Sequence, residues 1–238
     1  MIDSDHIDDT LRALGGQPLE LPPLSDDLER ELGELQPTKP RSPVRQLLAF
    51  AVVSLAVASG ILALLTLRKD LTHLPRLWMV VYCTGWLLGF VGLGMAALLP
   101  RSGQVSPSWR LAGFGAIAAG AAFVTAGLVF ARDVPGLSVL TPANAHDFAV
   151  YGQPCLRMGV ITAIVPVGLG ALFLRGAVPV GDRWVAAGLG ASGGALGGLM
   201  LHLHCPIADP WHLGLVHGGV VVVSALLSAL IVPRFLRP

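Results

Sequence analysis

Charge is scarce in this chain. Asp, Glu, Lys and Arg make up 13% of its 238 residues, while apolar residues make up 53%. A soluble domain usually carries about 25% charged residues, so the composition argues against an ordinary water-exposed domain. The scarcity is also uneven. Ten of the fifteen acids (Asp3, Asp5, Asp8, Asp9, Glu20, Asp26, Asp27, Glu29, Glu31 and Glu34) lie in the first 45 residues, against five bases. That tail carries a net −5, and the remainder holds 11 bases against 5 acids. A formal charge of +1 therefore conceals two segments written for two different solvents. A basic, early apolar start is missing as well. The first apolar run begins near Gln46, behind an acidic tail, which is not the pattern of a cleaved secretory signal.

What is present is length in the apolar runs. A spanning helix needs about 20 mostly apolar residues. Six stretches qualify, at roughly 46–67, 78–99, 111–131, 156–174, 184–203 and 211–232. The expected fold is an all-α integral membrane protein, a six-helix bundle (46–238) behind a short acidic tail (1–45). Pro154 and Pro166 flank or interrupt the fourth span. Trp78, Trp109, Trp184 and Trp211 fall at span edges, where an amphipathic ring suits the interface. Lys and Arg favour the cytoplasmic side. With the N-terminus inside, the inner set counts 11 bases and the outer set (Arg68, Lys69, Arg76, Arg132 and Arg157) counts 5. Both termini are therefore expected in the cytoplasm. No ionisable carboxylate, ammonium or guanidinium falls near the middle of a span, which counts against ion-coupled transport. Gly85 and Gly89, and Gly190, Gly194 and Gly198, recur at fourfold spacing, a pattern that lets helix backbones approach closely.

The tail holds two apolar stripes at helical spacing: Ile7, Leu11 and Leu14, then Leu24, Leu28, Leu32 and Leu35. Asp26, Asp27 and Glu29 suit the N-terminus of the second helix. Pro37, Pro40 and Pro43 then read as a stiff tether to the membrane. A helix this short is marginal alone in water. Either the tail is disordered with incidental leucines, or it folds against a partner. The inner loops are only about ten residues long, so the tail is the cytoplasmic segment with room to hold a protein.

Under this topology Cys83, Cys155 and Cys205 fall in the outer half, as do His73, His146, His202, His204, His212 and His217. The densest cluster is His202-Leu-His204-Cys205-Pro-Ile-Ala-Asp209-Pro-Trp-His212, between spans five and six. Cys155 follows Pro154 at the outer start of span four, where a helix N-terminus stabilises thiolate. Thiolate and imidazole together suit zinc, cadmium or copper. Two outward thiols can equally form a disulfide. His-x-His-Cys is not a zinc-finger spacing, and haem ligation by His202 and His217 on adjacent spans is another reading. Cys83, alone in an apolar span, reads as a packing residue.

Six spans, a short cytoplasmic tail, an outer Cys at the start of span four, and the run His204-Cys205-Pro206-x-x-Asp209-x-x-His212 resemble the NrsF-like membrane anti-sigma factors of bacteria. The resemblance implies no catalysis and no direct contact with nucleic acid. It implies a bacterial inner-membrane regulator that holds an extracytoplasmic-function sigma factor through its N-terminal segment. It also implies that Cys155 and Cys205 respond to metal or oxidative stress.

Overall fold

The computed structural model describes residues 42–100, 106–130, 148–175, 181–207 and 209–236. The chain divides into two units, 1–41 and 42–238. The tail leucines Ile7 to Leu35 lie outside the described residues, as does His146.

Among the described residues, six helices are long and apolar enough to cross a membrane. They are α1 (Pro43–Leu65), α2 (Arg76–Leu98), α3 (Trp109–Phe130), α4 (Gln153–Leu174), α5 (Asp182–His204) and α6 (Gly219–Ile231), the last completed by the turn that precedes it. That turn, His212–Gly218, is π-helical, and another π-helical turn, Phe148–Gly152, leads into α4. A short α7 (Pro233–Leu236) follows. Pro43 is not part of a tether but the first residue of α1. Ser42 caps that helix, its Oγ accepting from the Arg45 amide at 3.5 Å. Proline suits this position because its missing N–H would have had no helical partner. Pro166 does not break α4, which runs through it unbroken with the ring buried.

The layout is five helices around one. In α5, 89% of the spanning window is buried, against 17–44% in the other five. Its glycines make this possible. A methyl on Gly190 would collide with the Ser224 carbonyl of α6, and one on Gly197 with the Gly159 carbonyl of α4. One on Gly194 would stand 2.6 Å from the Val221 Cα. Of the α2 pair, Gly89 packs under the Phe123 ring, but Gly85 faces open space and makes no close approach. Polar ties between helices add to the packing, as expected where the surroundings are apolar. Ser192 Oγ donates to the Phe90 carbonyl at 2.6 Å, and the Tyr82 hydroxyl to that of Ala126 at 2.8 Å. Trp78 differs from the other edge tryptophans. It is buried, and its Nε1 donates to the Phe130 carbonyl at 2.9 Å, joining α2 to α3.

Candidate metal centre

One end of the bundle gathers the connection 66–75 and the starts of α2, α4 and the π turn before α6, with the end of α5. There Cys155, Cys205 and His212 form a group whose ligand atoms all lie within 4.8 Å of one another. The sulfurs of Cys155 and Cys205 stand 3.7 Å apart, and Cys205 Sγ lies 3.4 Å from His212 Nε2. Each comes from a different element. Cys155 is the third residue of α4, Cys205 caps the end of α5, and His212 opens the π turn.

The spacing suits a tetrahedral ion. With bonds of about 2.3 Å to sulfur and 2.0–2.1 Å to nitrogen, the edges of such a site are about 3.8 Å (S–S) and 3.6 Å (S–N). The two measured separations are within about 0.2 Å of those edges. These residues can therefore hold a metal ion through two sulfurs and one imidazole, with a fourth position left for another donor. The sulfur contact with Cys155, together with burial, pushes the Cys205 thiol up, against the pull of His212. Metal binding here must then release protons.

Three features of the surrounding backbone hold this group. Asp209 Oδ1 accepts the His212 amide at 3.0 Å, a side-chain N-cap that fixes where the last span begins. Asp209 Oδ2 is buried without a partner among the described residues. The π turn sets His217 against His212, five residues on, with ring centroids 5.1 Å apart and edge-on. In an α-helix, residues five apart face different directions. Glycine permits the turn to sit there, since the backbones of Gly127 on α3 and Leu213–Gly214 touch.

The third feature is Arg68, whose side chain is 0% exposed. Its Nε and Nη2 donate to the two carboxylate oxygens of Asp70, each at 2.6 Å. Nη2 also donates to the Pro206 carbonyl at 3.0 Å, and Nη1 to that of His202 at 3.4 Å. The Arg68 amide donates to the Leu203 carbonyl at 3.0 Å. Burial raises the Asp70 carboxyl, but the hydrogen bonds and charge of Arg68 outweigh it and hold the group below its ordinary range. The pair clamps the first connection onto the residues on either side of Cys205.

The remaining histidines fall outside the three-atom group. His202 is fully buried between aromatic rings, stacked on Tyr82 at 5.1 Å and 11° and tilted against Trp78 at 4.8 Å. Neither ring nitrogen of His202 or of His217 has a partner among the described residues. His204 turns the other way, its Nδ1 2.8 Å from the Thr66 carbonyl. Cys83 is half-buried and apart. Sequence reasoning missed the clamp, although Arg68-Lys69-Asp70, opposite charges beside a span end, was the signal for it. The π turn had no such signal.

A family model described as NrsF, negative regulator of sigma F, matches residues 33–237. A component of the ion-translocating oxidoreductase complex of Halorhodospira halophila (strain DSM 244 / SL1) is 33% identical over 87 residues. That stretch is 37% of this chain and 23% of that protein, so the chain matches under a quarter of the curated relative's length. No solved structure matches the chain.

Proposed function

The chain belongs to the NrsF family of negative regulators of a sigma factor, and on that premise we propose that it is a membrane anti-sigma factor switched by Cys155 and Cys205. In this reading residues 1–45 hold an extracytoplasmic-function sigma factor at the bacterial inner membrane, with both termini in the cytoplasm. The single observation that carries the sensing half is the convergence of Cys155, Cys205 and His212 from three elements. A ligand shared by those three side chains ties α4, α5 and the start of the last span together. Since α5 touches every other span, a change at its end can favour one arrangement of the bundle over another.

Two chemistries fit the pair. A thiophilic ion (zinc, cadmium or copper) takes both sulfurs and His212. An oxidant that accepts two electrons converts the two thiols to a disulfide, with release of two protons. For that the sulfurs must close from 3.7 Å to about 2.05 Å. Asp209 and Arg68 act as positioning residues in either case. Haem ligation by His202 and His217 would require both aromatic neighbours of His202 to leave their places, and purified protein without a Soret band would agree with that argument.

The tail carries the binding half. Its acidic charge complements the basic surface a sigma factor presents to DNA and polymerase, and its leucine stripes supply apolar anchors. The test is a sigma-dependent reporter in cells expressing the full chain. Leu28→Asp with Leu32→Asp forfeits roughly 1.5–3 kcal/mol of burial per leucine, and so at least about a hundredfold in affinity. Repression should be lost. Cys155→Ser, Cys205→Ser and the double variant should share one phenotype, no response to cadmium or oxidant. Normal repression by the leucine variant refutes the binding half. Single cysteine variants that respond like wild type refute the sensing half.

A further inference from the structure

At the end of the bundle opposite the thiols, α4 and α6 leave a cleft of about 730 Å³ between them. Both helices pack chiefly on α5 and little on each other, which is why the space exists. Small side chains open it: Ala163, Gly168 and Ala171 on α4, and Ser224 and Ser228 on α6. A Cβ on Gly168 would meet nothing within 4 Å. Ile164, Leu172, Leu227, Ile231 and Phe235 flank it and are all exposed. Arg175, at the end of α4, and Arg234, in α7, line the same cleft.

We infer that this cleft is a binding site for one anionic phospholipid, its phosphate on Arg175 and Arg234 and an acyl chain lying along Gly168 and Ser224. Length supports the assignment. From Val160 to Arg175 the α4 wall spans about 22 Å, and from Ser224 to Phe235 the facing wall spans about 16 Å, at 1.5 Å per residue. One leaflet of hydrocarbon is about 15 Å deep, half of the bilayer core. The cleft is thus one acyl chain long, with guanidinium groups at the depth of the headgroup. Ser224 Oγ is buried on this wall without a partner among the described residues.

The charge lining the cleft selects the occupant: two arginines and, among the described residues, no carboxylate. Among the described residues, Arg45, Arg110, Arg175, Arg183 and Arg234 lie toward this end, with Asp182 as the acid there. A second copy meeting itself across the cleft would set its own arginines against one another. An anionic headgroup meets them with opposite charge, and basic pockets between membrane helices are suited to such lipids. Arg175 also has an interaction within the chain.

The experiment uses the purified full chain in micelles with equimolar phosphatidylglycerol and phosphatidylcholine, read by native mass spectrometry. Wild type should retain one phosphatidylglycerol per chain and prefer it over phosphatidylcholine by about twenty-five-fold. Each arginine replaced (Arg234→Gln, then Arg175→Gln as well) should lower that preference roughly fivefold. Gly168→Phe fills the cleft from a position with open space beside it, and should release both lipids while leaving the melting temperature near wild type. Equal retention of the two lipids by wild type overturns the inference. So does undiminished phosphatidylglycerol in Gly168→Phe. A dimer that Gly168→Phe dissociates would assign the cleft to a second copy and also overturn it.

Discussion

Replacing Arg68 by methionine should destabilise the protein far more than removing the whole ion pair. The guanidinium is 0% exposed and Asp70 is 5% exposed, so the carboxylate depends on Arg68 for its two close donors. Arg68→Met removes the main compensation of that carboxylate and leaves it a backbone hydrogen bond and the neighbouring His73, a change that costs about 3 kcal/mol. It also removes a donor from the Pro206 carbonyl, at about 1 kcal/mol. In Arg68→Met with Asp70→Leu neither charge of the pair remains. What is lost is then chiefly the clamp on the Pro206 and His202 carbonyls, about 1–2 kcal/mol. The double variant should therefore be the more stable of the two by about 2 kcal/mol or more. The assay is reversible denaturant unfolding in micelles followed by tryptophan emission, with all four corners of the cycle measured. The pH dependence has a defined sign. Asp70 is held below 3.8 when folded, so the pair contributes fully above that value. Its contribution fades as pH falls through the lowered folded pKa, and only in variants that retain Asp70. An Arg68→Met cost under about 1 kcal/mol, or a double variant as unstable as the single, would refute the clamp.

Two further outcomes are expected. Alkaline phosphatase fused after Leu140 should be active, and fused after Pro179 inactive; activity at the second site alone would reverse the assigned orientation. Gly197→Leu should cost about 3 kcal/mol or more, or prevent folding, because its Cβ would enter the Gly159 carbonyl. A Gly197→Leu protein that melts like wild type would show that α4 and α5 do not approach as described.

The number and placement of the spans are legible in the sequence because the bilayer imposes a length on an apolar run, and the six runs meet it within a few residues. Pro43 reads as a tether because proline both ends helices and begins them, and only the Ser42 cap distinguishes the two. The one-sided clustering of Cys155, Cys205 and His212 follows from counting crossings, which fixes depth without fixing neighbours. That α5 stands in the middle cannot be read from its glycine spacing. Gly85 and Gly89 share that spacing, yet only Gly89 is in close contact. Arg68 counts as an outer-loop base because a sum of charges ignores pairing at two residues' distance. His217 is on the wrong face of an ideal α-helix; the π turn that brings it to His212 sits where Gly127 and Gly214 approach closely, a tertiary feature.

The central position of α5 also bears on how the protein is made. Its mean hydropathy of 1.4 is the lowest of the six spans, against 2.5 for α1. A helix that is 89% buried over its spanning window has little need of a strongly apolar surface, and its many glycines offer little side chain to bury. During synthesis, however, it must leave the insertion machinery as the fifth segment, before α6 exists to cover it. Its own partitioning into hydrocarbon is the weakest of the six described spans. Entry of α5 is therefore expected to depend on earlier spans remaining close at hand to receive it, with α6 covering its remaining face. The segment at the centre of the bundle is the least apolar of the six described spans, and is expected to be the one least able to insert by itself.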